Sequence, residues 1–109
     1  MPAGDADCPV RRAMGVLGHK WAILIVRDLL AGARRFNELL AGIDGISAKV
    51  LADRVRELEA AGLVRRTVHP EMPVRVVYEL TPLGRRLEPV VDALATFGDH
   101  LASARRTPA

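Results

Sequence analysis

The chain is short of the residues that staple, stack or span. One cysteine among 109 residues leaves no internal disulfide framework, and that scarcity suits a reducing, cytoplasmic setting. Four aromatics, one Trp, one Tyr and two Phe, are too few for the stacking platforms that grip single-stranded nucleic acid. The longest unbroken apolar stretch, Trp21 to Val26, falls far short of the roughly 20 residues that cross a bilayer, so no membrane partner is expected. The opening MPAGDAD has neither the basic nor the apolar region of a secretion signal. His19, His69, His100 and Cys8 have no close ligand spacing, so no metal and no cofactor is expected. Gly-rich phosphate loops and paired-carboxylate motifs are missing too. An enzyme would have to use Cys8 as its nucleophile without a neighbouring base, and no enzyme is expected.

What remains is an ordinary folding sequence. Half the residues are hydrophobic, enough to pay for ordering a chain of one-domain size. The net charge is +3, from 16 basic and 13 acidic residues, which by itself identifies no partner. The excess lies in the middle of the chain: between Ala33 and His69 stand seven bases against five acids.

The pattern predicts five helices and a hairpin between frayed ends, residues 1–7 and 105–109, with the folded domain over 8–104. A first helix starts at Cys8-Pro9, with proline in its first turn. It carries Val10, Met14 and Leu17 on one stripe. A second, from about Lys20 to Leu30, is apolar nearly all round, the mark of a central helix. A short third helix covers about Phe36 to Ala41. After the turn Gly42-Ile43-Asp44-Gly45-Ile46, Ser47 is a good N-cap for a fourth helix that Gly62 closes. On that helix Leu51, Val55 and Leu58 share one face and Lys49, Ala52, Asp53 and Arg56 the other. Short helix, tight turn and amphipathic helix spell a helix-turn-helix. LVRRTVH (63–69) and VRVVYEL (74–80) are rich in β-branched residues around Pro70-Glu71-Met72-Pro73, a hairpin wing. Thr81-Pro82 then opens a last helix to about Ser103, in which Pro89 should cause a kink. Its stripe of Leu87, Val90/Val91, Leu94, Phe97 and Leu101 exceeds what one protomer can cover. The fold class is therefore mainly α, a winged helix with terminal helices for dimerisation.

Three stretches, CPVRRAMGVLGHKW (8–21), ARRFNELLAGIDGISAKVLADRVRELEAAGLVRR (33–66) and PVRVVYELTPLG (73–84), resemble the HxlR-type bacterial winged-helix regulators, relatives of the MarR family. Order and spacing match from about Cys8 to Leu101. The resemblance implies a homodimer built from the first and last helices through Val10, Met14, Leu87, Val91, Leu94, Phe97 and Leu101. Each protomer would then present its fourth helix to a major groove of double-stranded DNA and the hairpin to flanking backbone or minor groove. The sequence departs from the family at His19, commonly Gly, and at Ala52, often Ser or Thr. Asp53 puts a carboxylate near where phosphates should lie.

The expected DNA contacts follow. Ser47 and Lys49 open the fourth helix, where such proteins touch bases and phosphates; Ser47 can equally serve as a cap and Lys49 as a solvated charge. Arg56 lies a turn later on the same face. Arg54 lies between faces and could instead anchor the helix, for example to Glu38. Arg34 and Arg35 precede the third helix and could clamp a phosphate there. His69 and Arg75 flank the wing tip; Arg75 suits a narrow minor groove, or a pair with Glu71 or Glu79. Cys8, at a helix start near Arg11 and Arg12, has surroundings that favour a reactive thiolate, though Asp7 opposes them. Some proteins of the family resembled sense oxidants or electrophiles through an N-terminal cysteine; a buried interface thiol is the plain alternative. The leading reading is a sequence-specific, homodimeric regulator, by default a repressor, answering to an electrophile or small ligand. The alternative is a winged-helix module that binds protein and not DNA.

Overall fold

The computed structural model describes residues 7–106. Their elements are α1 (Pro9–Leu17), α2 (Lys20–Leu30), α3 (Phe36–Gly42), α4 (Ala48–Ala60), β1 (Val64–His69), β2 (Arg75–Leu80), α5 (Pro82–Arg85) and α6 (Glu88–Arg106). This is the mainly α winged helix that the pattern predicts. Of the expected frayed ends, residues 1–6 and 107–109 lie outside the described residues, whereas Arg105 and Arg106 are the last two residues of α6 and not frayed.

The core forms where the apolar stripes of α2, α3 and α4 meet. Ile25, Val26 and Leu29 of α2, Leu39 of α3 and Leu51, Val55 and Leu58 of α4 are almost wholly removed from water. Each such side chain contributes roughly 1.5–3 kcal/mol by burial. Ile43 and Ile46 plug the gap beside the helix-turn-helix turn, whose Gly45 has φ +84°, a conformation that a side chain would strain.

Helix α4 is held at both ends. Ser47 Oγ accepts from the Val50 N–H at 3.1 Å, satisfying one of the orphan donors of the first turn. At the other end Gly62 (φ +80°) donates to Glu59 O at 3.0 Å, and Leu63 donates to Leu58 O at 3.0 Å. That is a Schellman ending, with Leu58 and Leu63 buried together.

The wing is an antiparallel pair in the register Val64↔Leu80 to His69↔Arg75. A third segment joins it: Arg34 N–H donates to Tyr78 O at 2.9 Å and Tyr78 N–H to Arg34 O at 2.8 Å. Thr81 ties the base of the wing to the helices. Its hydroxyl donates to Gly62 O at 2.6 Å, its oxygen accepts from Gly84 N–H at 3.1 Å, and its own N–H donates to Leu63 O at 3.0 Å.

The last helix differs from expectation. Instead of one kinked helix there are two, separated by a turn at Arg86 and Leu87. Pro89 is therefore the second residue of α6 and not an interior one. In a first turn the backbone N–H has no intrahelical partner to lose, so proline costs little. The helix then runs to Arg106, three residues beyond the predicted end, and every residue from Asp92 to Arg105 is exposed.

Candidate nucleic-acid interface

The outward side of α4 carries three charges at i, i+4 and i+7. Lys49 Nζ lies 3.2 Å from Asp53 Oδ2, and Arg56 Nη1 lies 3.5 Å from Asp53 Oδ1. The side chains of Lys49 and Arg56 are 85% and 75% exposed, and Asp53 between them 36%. The two cations predicted for DNA thus project from one face, bridged at their base by a carboxylate. Ser47 stands at the head of this face and is already engaged as the cap.

Arg54 is elsewhere. Its side chain is only 19% exposed, and Nη1 lies 3.2 Å from Glu57 Oε2, an ion pair by distance without hydrogen-bond alignment. The anticipated partner Glu38 is instead used at the start of α3, where its Oε1 accepts from the Arg35 N–H at 2.7 Å. Arg34 is half-buried, its backbone stitched to Tyr78 and its Nη1 donating to Ala33 O at 3.0 Å. Only Arg35 of that pair is exposed, beside a hollow formed with Phe36 and Val74.

At the wing tip, Arg75 donates to Glu71 through Nη2 at 3.2 Å and Nε at 3.4 Å. The Arg75 guanidinium holds the Glu71 carboxyl below its ordinary value, by these hydrogen bonds first and by its charge second; burial opposes, and His69 and Arg35 add to the lowering. Glu79 pairs with Arg65 at 3.1 Å. His69 is half-buried opposite Arg75. Arg66 on β1, absent from the expected contacts, is an exposed arginine without an ion-pair partner among the described residues. Its place in a β-branched run was the one available signal.

Apolar side chains are left uncovered on the terminal helices. Val10 and Met14 on α1 and Leu94, Phe97 and Leu101 on α6 are all exposed. Leu87 and Val91 instead lean onto the protomer's own core. Cys8, half-buried at the head of α1, borders a hollow with Val10, Arg11 and Met14. Among the described residues no three His, Cys, Asp or Glu side chains gather to hold a metal, and no helix is long and apolar enough to cross a membrane.

Residues 16–106 match the HxlR-like helix-turn-helix family. The chain belongs to that family. It is 43% identical over 91 residues to the uncharacterised helix-turn-helix-type transcriptional regulator sll1512 of Synechocystis, covering 84% of this chain and 67% of the relative. A MarR-family transcriptional regulator of Porphyromonas gingivalis W83 superposes with a TM-score of 0.84 at 40% identity, over 90% of this chain and 96% of that one. The redox regulator HypR, in its reduced form, superposes with a TM-score of 0.84 at 34% identity, over 91% and 98%. This HxlR-type chain is thus a helix-turn-helix transcriptional regulator, with a winged-helix frame like that of its MarR-type neighbours.

Proposed function

We propose that the protein is a homodimeric repressor that binds a pseudo-palindromic double-stranded DNA operator. The observation that carries the proposal is α4 itself: its apolar face is sunk in the core and its opposite face offers Lys49 and Arg56 to solvent beside the wing. Ser47, Lys49 and Arg56 face the major groove, while Arg35, His69 and Arg75 reach the flanking backbone or minor groove. Arg34 and Arg54 hold the frame that presents them. The apolar faces of α1 and α6 pair two copies, placing the two α4 helices about 34 Å apart, one turn of DNA. A small dimer seated on a promoter blocks polymerase without touching it, hence repression.

Cys8 is the proposed sensor, by likeness to the redox regulator HypR. A two-electron oxidant would join the Cys8 thiols of two protomers, or Cys8 and a small thiol, taking up both thiol protons and two electrons as the S–S bond forms. An electrophile would alkylate the same sulfur. Either event changes the α1 contacts and with them the spacing of the two α4 helices.

The pairing of Lys49 and Arg56 with Asp53, and of Arg75 with Glu71, lowers the free positive charge of this face and favours a second reading, a module that docks on protein. Fluorescence anisotropy separates the two, using duplex DNA from upstream of the gene against a scrambled duplex across a salt series. DNA recognition gives preference for the native fragment and a log K that falls linearly with log salt. Reversing Lys49 and Arg75 to Glu abolishes that binding if DNA is the partner. Equal, weak binding to both duplexes by the unmodified chain favours protein docking.

A further inference from the structure

We propose that Asp53 sets the sequence specificity of α4: it restrains Lys49 and Arg56 on arbitrary DNA and reads a cytosine in the operator. The proposal rests on the DNA-binding reading above and deepens it.

The geometry gives each carboxylate oxygen one cation. Oδ2 faces Lys49 Nζ at 3.2 Å and Oδ1 faces Arg56 Nη1 at 3.5 Å. Helix stability accounts for this acid only in part. Arg56 lies three residues toward the C-terminus, the favourable order for such a pair, but Lys49 lies four residues toward the N-terminus, the less favourable one. Nor does Asp53 sit in the first turn of α4, where the helix dipole would favour it; that turn holds no acid. What Asp53 does occupy is the centre of the outward face, between the two most exposed cations of the helix.

On DNA the carboxylate acts twice. A phosphate that recruits Lys49 or Arg56 must first displace Asp53, and its own charge repels that carboxylate. Contacts with backbone alone are therefore weakened on every sequence. Once the cations turn to phosphates, Asp53 is left in a groove with no donor, and a desolvated carboxylate without a partner is costly. Base edges differ in what they offer it. Guanine and thymine present acceptors in the major groove, and adenine sets its amino group beside the N7 acceptor. Cytosine presents an N4 amino donor with no acceptor on that edge. Ala52, adjacent on the helix, is small enough to let the carboxylate approach. Cytosine at one position of each half-site thus repairs the loss that other bases leave.

The test compares the full chain with its Asp53→Ala variant. Alanine is a strong helix former, and equal far-UV circular dichroism verifies the fold. Each protein selects duplexes from a randomised pool, and affinities for selected and scrambled duplexes are measured across a salt series. The variant is expected to bind scrambled duplex about tenfold more tightly, with a salt slope steeper by nearly four, about 0.9 for each of the two cations released to phosphates on each of two protomers. It is also expected to lose a cytosine preference that the unmodified chain shows at one position per half-site. An unchanged base preference, or a scrambled-duplex affinity within twofold of the unmodified chain, overturns the role of Asp53. Failure of the unmodified chain to enrich any duplex overturns the DNA-binding reading itself, and this proposal with it.

Discussion

At the scale of single residues, charge pairing decides which side chains are free. Arg75 was expected to serve the wing or to pair with Glu71 or Glu79, and it pairs with Glu71. The Glu71 carboxyl is lowered by that pairing, so the pair's contribution to the folded state is complete above the ordinary carboxylate value and is lost as pH falls through the lowered one. NMR titration of the Glu71 side-chain carboxyl should accordingly give a midpoint below that of an unpaired glutamate, and Arg75→Ala should raise it toward the ordinary value. An unshifted midpoint would contradict the pair in solution. Which of the central basic residues project, and which fold back, was not written in their spacing. Arg34 and Arg54 occupy positions as plausible as those of Arg35 and Arg56. What separates them is, for Arg34, a backbone bridge to Tyr78, distant along the chain, and, for Arg54, a side chain only 19% exposed that lies against Glu57 of its own helix.

At the scale of elements, periodicity carried most of the information. The apolar face of α4, its Ser47 cap, its Gly62 ending and the wing strands were all legible, because each depends on residues within a turn or two. The break before α6 was not. Thr81-Pro82 and Leu87 onward read as one helix until Thr81 and Gly84 are seen holding α5 against the end of α4. Gly84 is the close point: a methyl group there would collide with the Leu63 carbonyl oxygen. Alanine at this position should therefore destabilise the protein by about 1–3 kcal/mol, as overpacking does, despite its better helix propensity. Urea denaturation would measure the loss, and an unchanged midpoint would mean that α5 yields freely.

At the scale of the whole molecule, the single chain is extended. Its radius of gyration is 16.4 Å, against about 13 Å for a compact domain of this length. The terminal helices contribute to the difference: α1 has no fully buried residue, and every residue from Asp92 to Arg105 of α6 is exposed. An isolated helix of that length is marginal in water, below or near the roughly 12–15 residues at which even good sequences hold. Its stability must come from packing, and Leu94, Phe97 and Leu101 supply the face. The double substitution Leu94→Glu and Phe97→Glu should yield monomers by analytical ultracentrifugation, lower the helical signal at 222 nm and remove any dependence of Tm on protein concentration. A variant that still sediments as a dimer would place the interface elsewhere.

The knot at Thr81 has a consequence for how such proteins diversify. Its bonds run between Gly62, Leu63, Thr81, Gly84 and Arg85, inside one protomer and away from both the outward face of α4 and the exposed side of α6. On the proposed dimeric, DNA-binding reading, the letters a protomer reads and the copy it marries are thereby written on separate surfaces. After gene duplication, changes at Lys49, Ala52, Asp53 and Arg56 would redirect a daughter protein to new promoters while it could still mate with its parent. Changes along α6 would segregate the two without altering their targets. Hybrids exchanging only those surface residues would inherit address from one parent and mate from the other.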